Sequence, residues 1–396
     1  MKDITLAQRI SRVKPSQTLA VSARAAELKA AGEQIISLGV GEPDFDTPEH
    51  IKQAGISAIL NGQTRYTAVE GTPELRQAII AKFARDNDHK FEMDEVLVSC
   101  GGKQSFYNLS QALLNPGDEV LIPAPYWVSY PDMVRLAEAE PVIIKAGIEQ
   151  QFKITAEQLE AAITPKSRLF VINSPSNPTG VAYSKSELAA LGEVLLMHPQ
   201  ILVATDDMYE HIQWTDSDFV NIVNACPALF PRAIVLNGVS KAYAMTGWRI
   251  GYAGGPAPLI QAMKKVQSQS TSNPCSISQA AAVAALNGDQ GCFTPMLKAF
   301  KERHDFVFEK LRAIPGIKCT PSDGTFYTFP DCSEIIAQLD GVSNDVELAE
   351  YFLQTAGVAL VPGSAFGAAG YIRLSFATSM EILDDALLRI KKSLIK

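Results

Sequence analysis

The chain has 396 residues, 47% hydrophobic and 20% charged, with 35 Lys and Arg against 43 Asp and Glu for a formal net charge of −8. A chain of this length and apolar content buries a large core, and an acidic balance with no block of like charge makes a poor nucleic-acid or anionic-membrane binder. The longest unbroken apolar stretch, residues 280–286, is far short of the ~20 residues that span a bilayer, and the opening MKDITLAQRISRVKPSQ has no apolar core, so a cytoplasmic protein without a secretory leader is expected.

In chain order, residues 1–46 carry turn signals (Gly39, Gly41, Pro43) and too little apolar periodicity for a domain of their own; they are expected to pack on a later one. Residues 95–255 then alternate short β-branched runs with amphipathic stretches. Strands are expected at 95–99, 119–122, 142–144, 169–172, 201–204, 233–236 and 250–253. The Gly101-Gly102 turn leads into a helix with Phe106, Leu109 and Leu113 on one face, and residues 186–196 form another. Alternation of this kind means crossover connections and a mainly parallel sheet with helices on both faces, an α/β fold. After residue 255 the pattern changes: helices at 257–266, 276–286 and 293–313, strands at 325–329, 358–361 and 372–376, and a closing helix at 382–394. This mix is that of a smaller α+β domain.

The six cysteines and five histidines are scattered, with no C-x-x-C pair and no H-E-x-x-H. Neither a disulfide framework nor a metal site is expected, and the bland assignment is buried free thiols and surface imidazoles. The familiar phosphate motifs also fail. GVGEPD at 39–44 lacks a third glycine, and GGK at 101–103 lacks the rest of a Walker loop. What remains is a strand–glycine–helix junction at 99–103, where exposed amides at a helix N-terminus can hold a phosphate.

Four further segments sit at strand ends. Strand 169–172 runs into the rigid polar turn NSPSNPTG, and strand 201–204 into Asp206-Asp207-Met208-Tyr209. Strand 233–236 leads to Ser240-Lys241, and Arg249 opens the strand at 250. Taken singly these are a turn asparagine, a helix-capping aspartate, a solvated lysine and a surface arginine. Their shared position at one sheet edge matters, because that edge is where ligands bind in such sheets. A lysine for an aldehyde, a carboxylate for a pyridine nitrogen, a phenol and an amide for a ring oxygen, and an arginine with helix amides for a phosphate together match pyridoxal 5′-phosphate.

These segments resemble the class I aminotransferases of PLP fold type I. The resemblance is carried by SPSNPTG, the strand-end D-x-x-Y, and S-K-A-Y-A-M-T-G-W-R-I-G-Y. It extends through KPS, GEPDF, YTAVEGTPELR, GGKQ, PYWVSYPDM and VPGSAFG to YIRLSFATS, nearly the whole chain, and is closest to the bacterial aspartate aminotransferases of the branch with prephenate-active members. It implies a large PLP-binding domain at 47–290 and a discontinuous small domain from 1–46 and 291–396. It assigns Lys241 as Schiff-base lysine and general base, Asp206 to the pyridine nitrogen, Tyr209 and Asn177 to the ring oxygen, and Trp127 to the ring face. Gly101, Gly102, Lys103, Ser240 and Arg249 would surround the phosphate, joined by Tyr66 of a neighbouring subunit, which implies a homodimer with shared active sites. Arg373 would grip the substrate α-carboxylate, in a pocket with Gly39, Trp127 and Asn177.

The implied reaction is ping-pong transfer of the amino group of L-aspartate to 2-oxoglutarate. Residues 268–279 hold no arginine for a distal carboxylate, so Lys103 is the candidate, assisted by Lys14, Ser16 and Thr18. Aromatic or prephenate specificity, or a fold-type-I lyase using the same cofactor residues, are the alternatives. A PLP-dependent transcription regulator is discounted for want of a basic patch.

Overall fold

The computed structural model describes residues 4–215 and 217–395. Its strands are β1 (Ile36–Ser37), β2 (Val96–Ser99), β3 (Glu119–Ala124), β4 (Glu140–Lys145), β5 (Ser167–Asn173) and β6 (Leu202–Asp206). They continue with β7 (Ala233–Gly238), β8 (Gly251–Gly254), β9 (Tyr327–Thr328), β10 (Val358–Ala359), β11 (Val361–Pro362) and β12 (Ile372–Ser375).

Seven strands form one twisted sheet in the order β2-β8-β7-β6-β5-β3-β4. Pairing is parallel from β7 through β4, and only β8 runs against its neighbours. Alternate residues serve opposite faces. Leu97, Val120, Ile122, Leu169, Val171, Ala204, Ile234 and Leu236 enter one apolar cluster, while Leu121, Phe170, Ile172 and Val203 enter another behind the sheet. Both faces are therefore dry, as a parallel sheet requires, and helices cover them. The covering helices begin where the sequence caps them. Ser184 accepts from Glu187 N, and the Glu187 carboxylate takes Ser184 N at 2.7 Å. Thr72 caps Pro73–Asn87 with proline in its first turn.

All expected strands of this sheet are present, within a few residues at their ends. The 358–361 run is not one strand: it splits into β10, parallel to β1, and β11, antiparallel to β12. Helices at Gln17–Ala30, Glu49–Leu60, Pro73–Asn87, Ser129–Leu136 and Ala156–Ala162 lie in regions for which the sequence pattern predicts none. Gln17–Ala30 and Ala156–Ala162 bury only Ala25 and Leu159 and so leave little periodicity to read, whereas Pro73–Asn87 and Ser129–Leu136 bury large side chains such as Leu75, Ile79, Phe83, Tyr130 and Met133. The thiols are free, but only Cys226 and Cys332 are buried. Two imidazoles, His89 and His304, are buried instead of lying on the surface. His304 accepts Ser322 N at 2.8 Å, and the His89 Nε2 lies 3.1 Å from Asn221 Nδ2, so each ring finds a polar partner where it is buried.

The N-terminal segment joins the C-terminal part through β1–β10 pairing and through Ala25 against Leu353 and Ala359. A separate cluster unites the long helix Thr294–Arg312, the closing helix Met380–Ser393 and the strands β9 and β12. We propose on this basis the division into a large domain at 47–290 and a small one built from 1–46 and 291–396.

Beneath the strand ends lies a buried ion pair between Lys82 and Glu210. Asn87 and Asn237 each donate to the Glu210 carboxylate, at 2.9 and 2.8 Å. Asp86, Glu210 and His211 lie close enough together to hold a cation, but the Lys82 ammonium, 3.7 Å from Asp86, already supplies the positive charge there. Removing one partner of such a pair strands the other out of water. Lys82→Met is expected to destabilise the fold by about 3–5 kcal/mol, and Lys82→Met with Glu210→Gln to recover most of that loss, as read by denaturant unfolding.

Candidate active site

Strands that run in one direction end at one edge, and here that edge carries the polar residues. β5 ends at Asn173, β6 at Asp206 and β7 at Gly238, with Asn173 and Asp206 in register. β8 is antiparallel, so it starts at the edge where its neighbours stop: Gly251 is level with Ser99 and with Gly238. That inversion brings Arg249 to the same edge as Lys241. The strand ends open into a cavity of about 310 Å³ between the sheet edge and the N- and C-terminal parts of the chain. Gly39, Gly102, Lys103, Trp127, Asn177, Asp206, Tyr209, Ser240, Lys241, Arg249 and Arg373 all line it, as does Thr18.

Lys241 projects from the loop after β7. Its Nζ donates to Gly41 O at 2.7 Å and lies 5.8 Å from the Phe326 ring centre. Burial pushes its pKa down to about 8, with Arg373 and Arg249 acting in the same direction and the carboxylates of Glu42 and Asp206 opposing. Loss of water around Asp206 pushes its carboxyl up, while the Tyr130 hydroxyl, which donates to it, and the nearby Lys241 charge favour the anion. Met208 N also donates to Asp206, at 3.3 Å.

The helix Gly102–Leu113 starts at this edge without a side-chain cap. Gly101 precedes it with φ +90°, a conformation that favours glycine. A Cβ at Gly101 would come 2.4 Å from Arg249 Nη2, and one at Gly102 would come 2.6 Å from Met208 Cε. The glycines thus let the arginine and the helix amides crowd into one small cup, a donor set suited to a phosphate. Gly101 itself stands behind this cup and does not line the cavity.

Arg373 lies on β12 and is buried. Its guanidinium sits between the rings of Tyr327 and Phe366, 4.4 and 4.9 Å from their centres. Nη1 donates to Asn177 Oδ1 at 2.9 Å and Nη2 to Gly39 O at 2.7 Å, while Nε has no partner. Among the described residues no carboxylate is ion-paired with it. A buried guanidinium held only by neutral oxygens and aromatic faces calls for an anion from outside the chain.

Lys103 stands 5.3 Å from the Trp127 ring centre, and burial and Arg249 lower its pKa. It also borders a second cleft of about 500 Å³ with Arg12, Lys14, Ser16 and Arg135. Tyr66 is remote from the cavity: 92% exposed, it lies on an outer cleft with Arg65, Ser276 and Val283. Sequence reasoning missed Tyr130, Asn173 and Tyr327. Tyr130 was accessible as the third aromatic of PYWVSY, three residues past Trp127, and Tyr327 as part of the aromatic run TFYTF, which reads equally well as core.

Residues 33–390 match the family model described as aminotransferase class I and II. The chain is 61% identical over 390 residues to an aspartate/prephenate aminotransferase of Nitrosomonas europaea, covering 97% of this chain and 98% of that one. It superposes on the crystal structure of an aspartate aminotransferase from Rhizobium meliloti with a TM-score of 0.96 at 49% identity, covering 99% of each chain. The aspartate aminotransferase of Thermus thermophilus with maleate gives a TM-score of 0.92 at 41% identity, over 99% of this chain and 100% of that one.

The depressed pKa of Lys241 has two measurable consequences. In ligand-stripped protein the labelling of Lys241 by an amine-reactive reagent should rise with pH around a midpoint near 8, against ~10.4 for an ordinary lysine. Below that midpoint the lysine is charged in both folded and unfolded chains, and its burial cost is present in full. Between the two values the unfolded chain binds more protons, so this group makes the fold more stable as pH rises. A stripped Lys241→Met variant should lose that rise in a titration of unfolding free energy.

Proposed function

The chain belongs to the class I and II aminotransferases, and from that premise we propose that it transfers the amino group of L-aspartate to 2-oxoglutarate, giving oxaloacetate and L-glutamate. The observation that carries this reading is the buried Arg373, a cation without a carboxylate partner among the described residues, facing the same cavity as Lys241 and Asp206. A non-enzymatic binding module has no reason to bury these three charges together.

The family implies pyridoxal 5′-phosphate, and the donor set fits it. Amides at the start of Gly102–Leu113, with Ser240 and Arg249, suit the phosphate; Asp206 suits the ring nitrogen; Asn177 and Tyr209 suit the ring oxygen; Trp127 supplies an apolar wall. When bound, this cofactor supplies an aldehyde that captures the amino group and a protonated ring that takes up the electron pair released at the substrate Cα. The chain's residues do the rest. Arg373 binds the α-carboxylate as a planar fork and so fixes which Cα bond faces the ring. Lys241, whose proton affinity burial has lowered, accepts the Cα proton at Nζ and delivers it elsewhere on the same face. Asp206, whose carboxylate accepts from the Tyr130 hydroxyl, would hold a proton at the ring nitrogen. Arg249 and Lys241 cannot exchange roles, because a guanidinium stays protonated at neutral pH.

A homodimer in the cytoplasm is part of the proposal. Tyr66 and Leu60, 92% and 80% exposed, mark the face on which a second copy would lie, with Tyr66 reaching its cofactor. Among the described residues no helix is long and apolar enough to cross a membrane. Breadth toward prephenate is a second reading, favoured by the wide cleft next to Lys103 and by the name of the Nitrosomonas europaea relative.

The purified protein is expected to be yellow, and aspartate should shift its visible band while oxaloacetate appears; a colourless protein that takes up no cofactor would sink the reading. Lys241→Ala should still bind the cofactor yet lose transamination by at least ~10³-fold, as expected when a nucleophile and base are removed together. Stoichiometric oxo-acid exchange in the wild type separates this activity from that of a lyase. Lys103→Ala should weaken aspartate turnover about tenfold, the scale of one charge-assisted hydrogen bond, and leave an aromatic donor unaffected. Equal loss for both donors would place Lys103 at the phosphate alone.

A further inference from the structure

Tyr327 touches both functional ends of the cavity, and the roles described above do not use it. It lies on β9, paired with Ser375 of β12, so its ring stands diagonally across from Arg373 on the same face of the small sheet. The guanidinium of Arg373 rests 4.4 Å from its ring centre. Its hydroxyl lies 3.1 Å from the Tyr209 hydroxyl. Gly41, whose carbonyl holds Lys241, is kept free of a side chain by the same hydroxyl: a Cβ there would come 2.6 Å from Tyr327 Oη.

A phenol has one proton and two acceptor positions. If Tyr209 donated to Tyr327, it would have no proton left for a ligand in the cavity. The reverse arrangement leaves the Tyr209 proton free to point at the ligand. Tyr209 lines the cavity, and a ring oxygen that carries negative charge can only accept. A Tyr209 that serves such an oxygen gives it its own proton and takes the Tyr327 proton on its hydroxyl oxygen, 3.1 Å away.

We propose that Tyr327 is a positioning residue that donates to Tyr209, turns the Tyr209 proton toward the ring oxygen of the bound cofactor, and with its ring face fixes the plane of the Arg373 guanidinium for the substrate carboxylate. The two functions reside in different parts of one side chain, so they separate by substitution. The inference rests on the aminotransferase reading above.

The test is a pH titration of the visible band of the purified holoenzyme, together with steady-state kinetics. A hydrogen bond donated to the ring oxygen stabilises its negative charge, so weakening it should move the titration midpoint to higher pH. Tyr327→Phe should raise the midpoint by at least half a unit and lower kcat about threefold to tenfold, with KM for the amino acid within twofold, because the ring under Arg373 remains. Tyr327→Leu should show the same shift and also raise KM at least tenfold. Thermal unfolding of both variants controls for a merely structural role, which would lower the melting midpoint without moving the titration. A Tyr327→Phe midpoint equal to wild type would overturn the proposal while leaving the aminotransferase reading intact. A wild-type protein with no visible band would overturn both.

Discussion

A parallel sheet can be closed only by crossover connections that return the chain to the same starting edge, and this constraint organises the whole molecule. Each turn of chain spends its helix on a face and delivers its next loop to the carboxyl edge. Residues 173, 206 and 241, far apart along the chain, therefore meet without any loop having to reach for the others. The exception is as informative as the rule. Because β8 is antiparallel, its leading residue rather than its trailing one lies at that edge, and Arg249 arrives beside the helix N-terminus it crowds.

The second organising feature is how positive charge is kept away from water. Lys82 is neutralised by Glu210 deep under the strand ends and serves to hold them together. Arg373 is treated in the opposite way, packed between two aromatic rings and bonded only to neutral oxygens. A cation held like the first is structural, since its charge is already satisfied. One held like the second keeps its electrostatic demand for a ligand, and that demand costs stability in the free protein. Lys241 is intermediate: burial lowers its proton affinity toward the neutral range, where an amine can take and release a proton.

The N-terminal segment takes its importance from the same edge. It contributes one short strand to the small part, and the carbonyls of Gly39 and Gly41 reach Arg373 and Lys241. Arg303 secures the segment from the long helix, donating to Asp44 at 2.7 Å while its guanidinium lies over Phe45 and Phe300. No periodicity in residues 36–47 foretold the contacts to Lys241 and Arg373, because these are made by backbone oxygens, which every sequence has.

Much of the large sheet was legible in advance. Buried parallel strands must be apolar on both faces, so runs such as LFVI and AIVL could be little else once turn residues bounded them. Helices with a thin buried face, such as Gln17–Ala30 with Ala25 alone and Ala156–Ala162 with Leu159 alone, leave little periodicity to read. The gathering of unusual side chains at strand ends could be read as well, because Lys241, Asp206 and the SPSNPTG turn have local signatures and line one cavity. What the chain alone determined was thus the sheet, the residue types at its edge and the family they resemble. Tertiary structure alone decided which aromatic residues serve the site and which serve the core. Tyr130 and Tyr327 are apolar in pattern, and what distinguishes them is what their hydroxyls meet; those partners, Asp206 and Tyr209, lie 76 and 118 residues away along the chain. Hydrophobic periodicity records whether a side chain leaves water, but not which single polar atom it finds once it has done so.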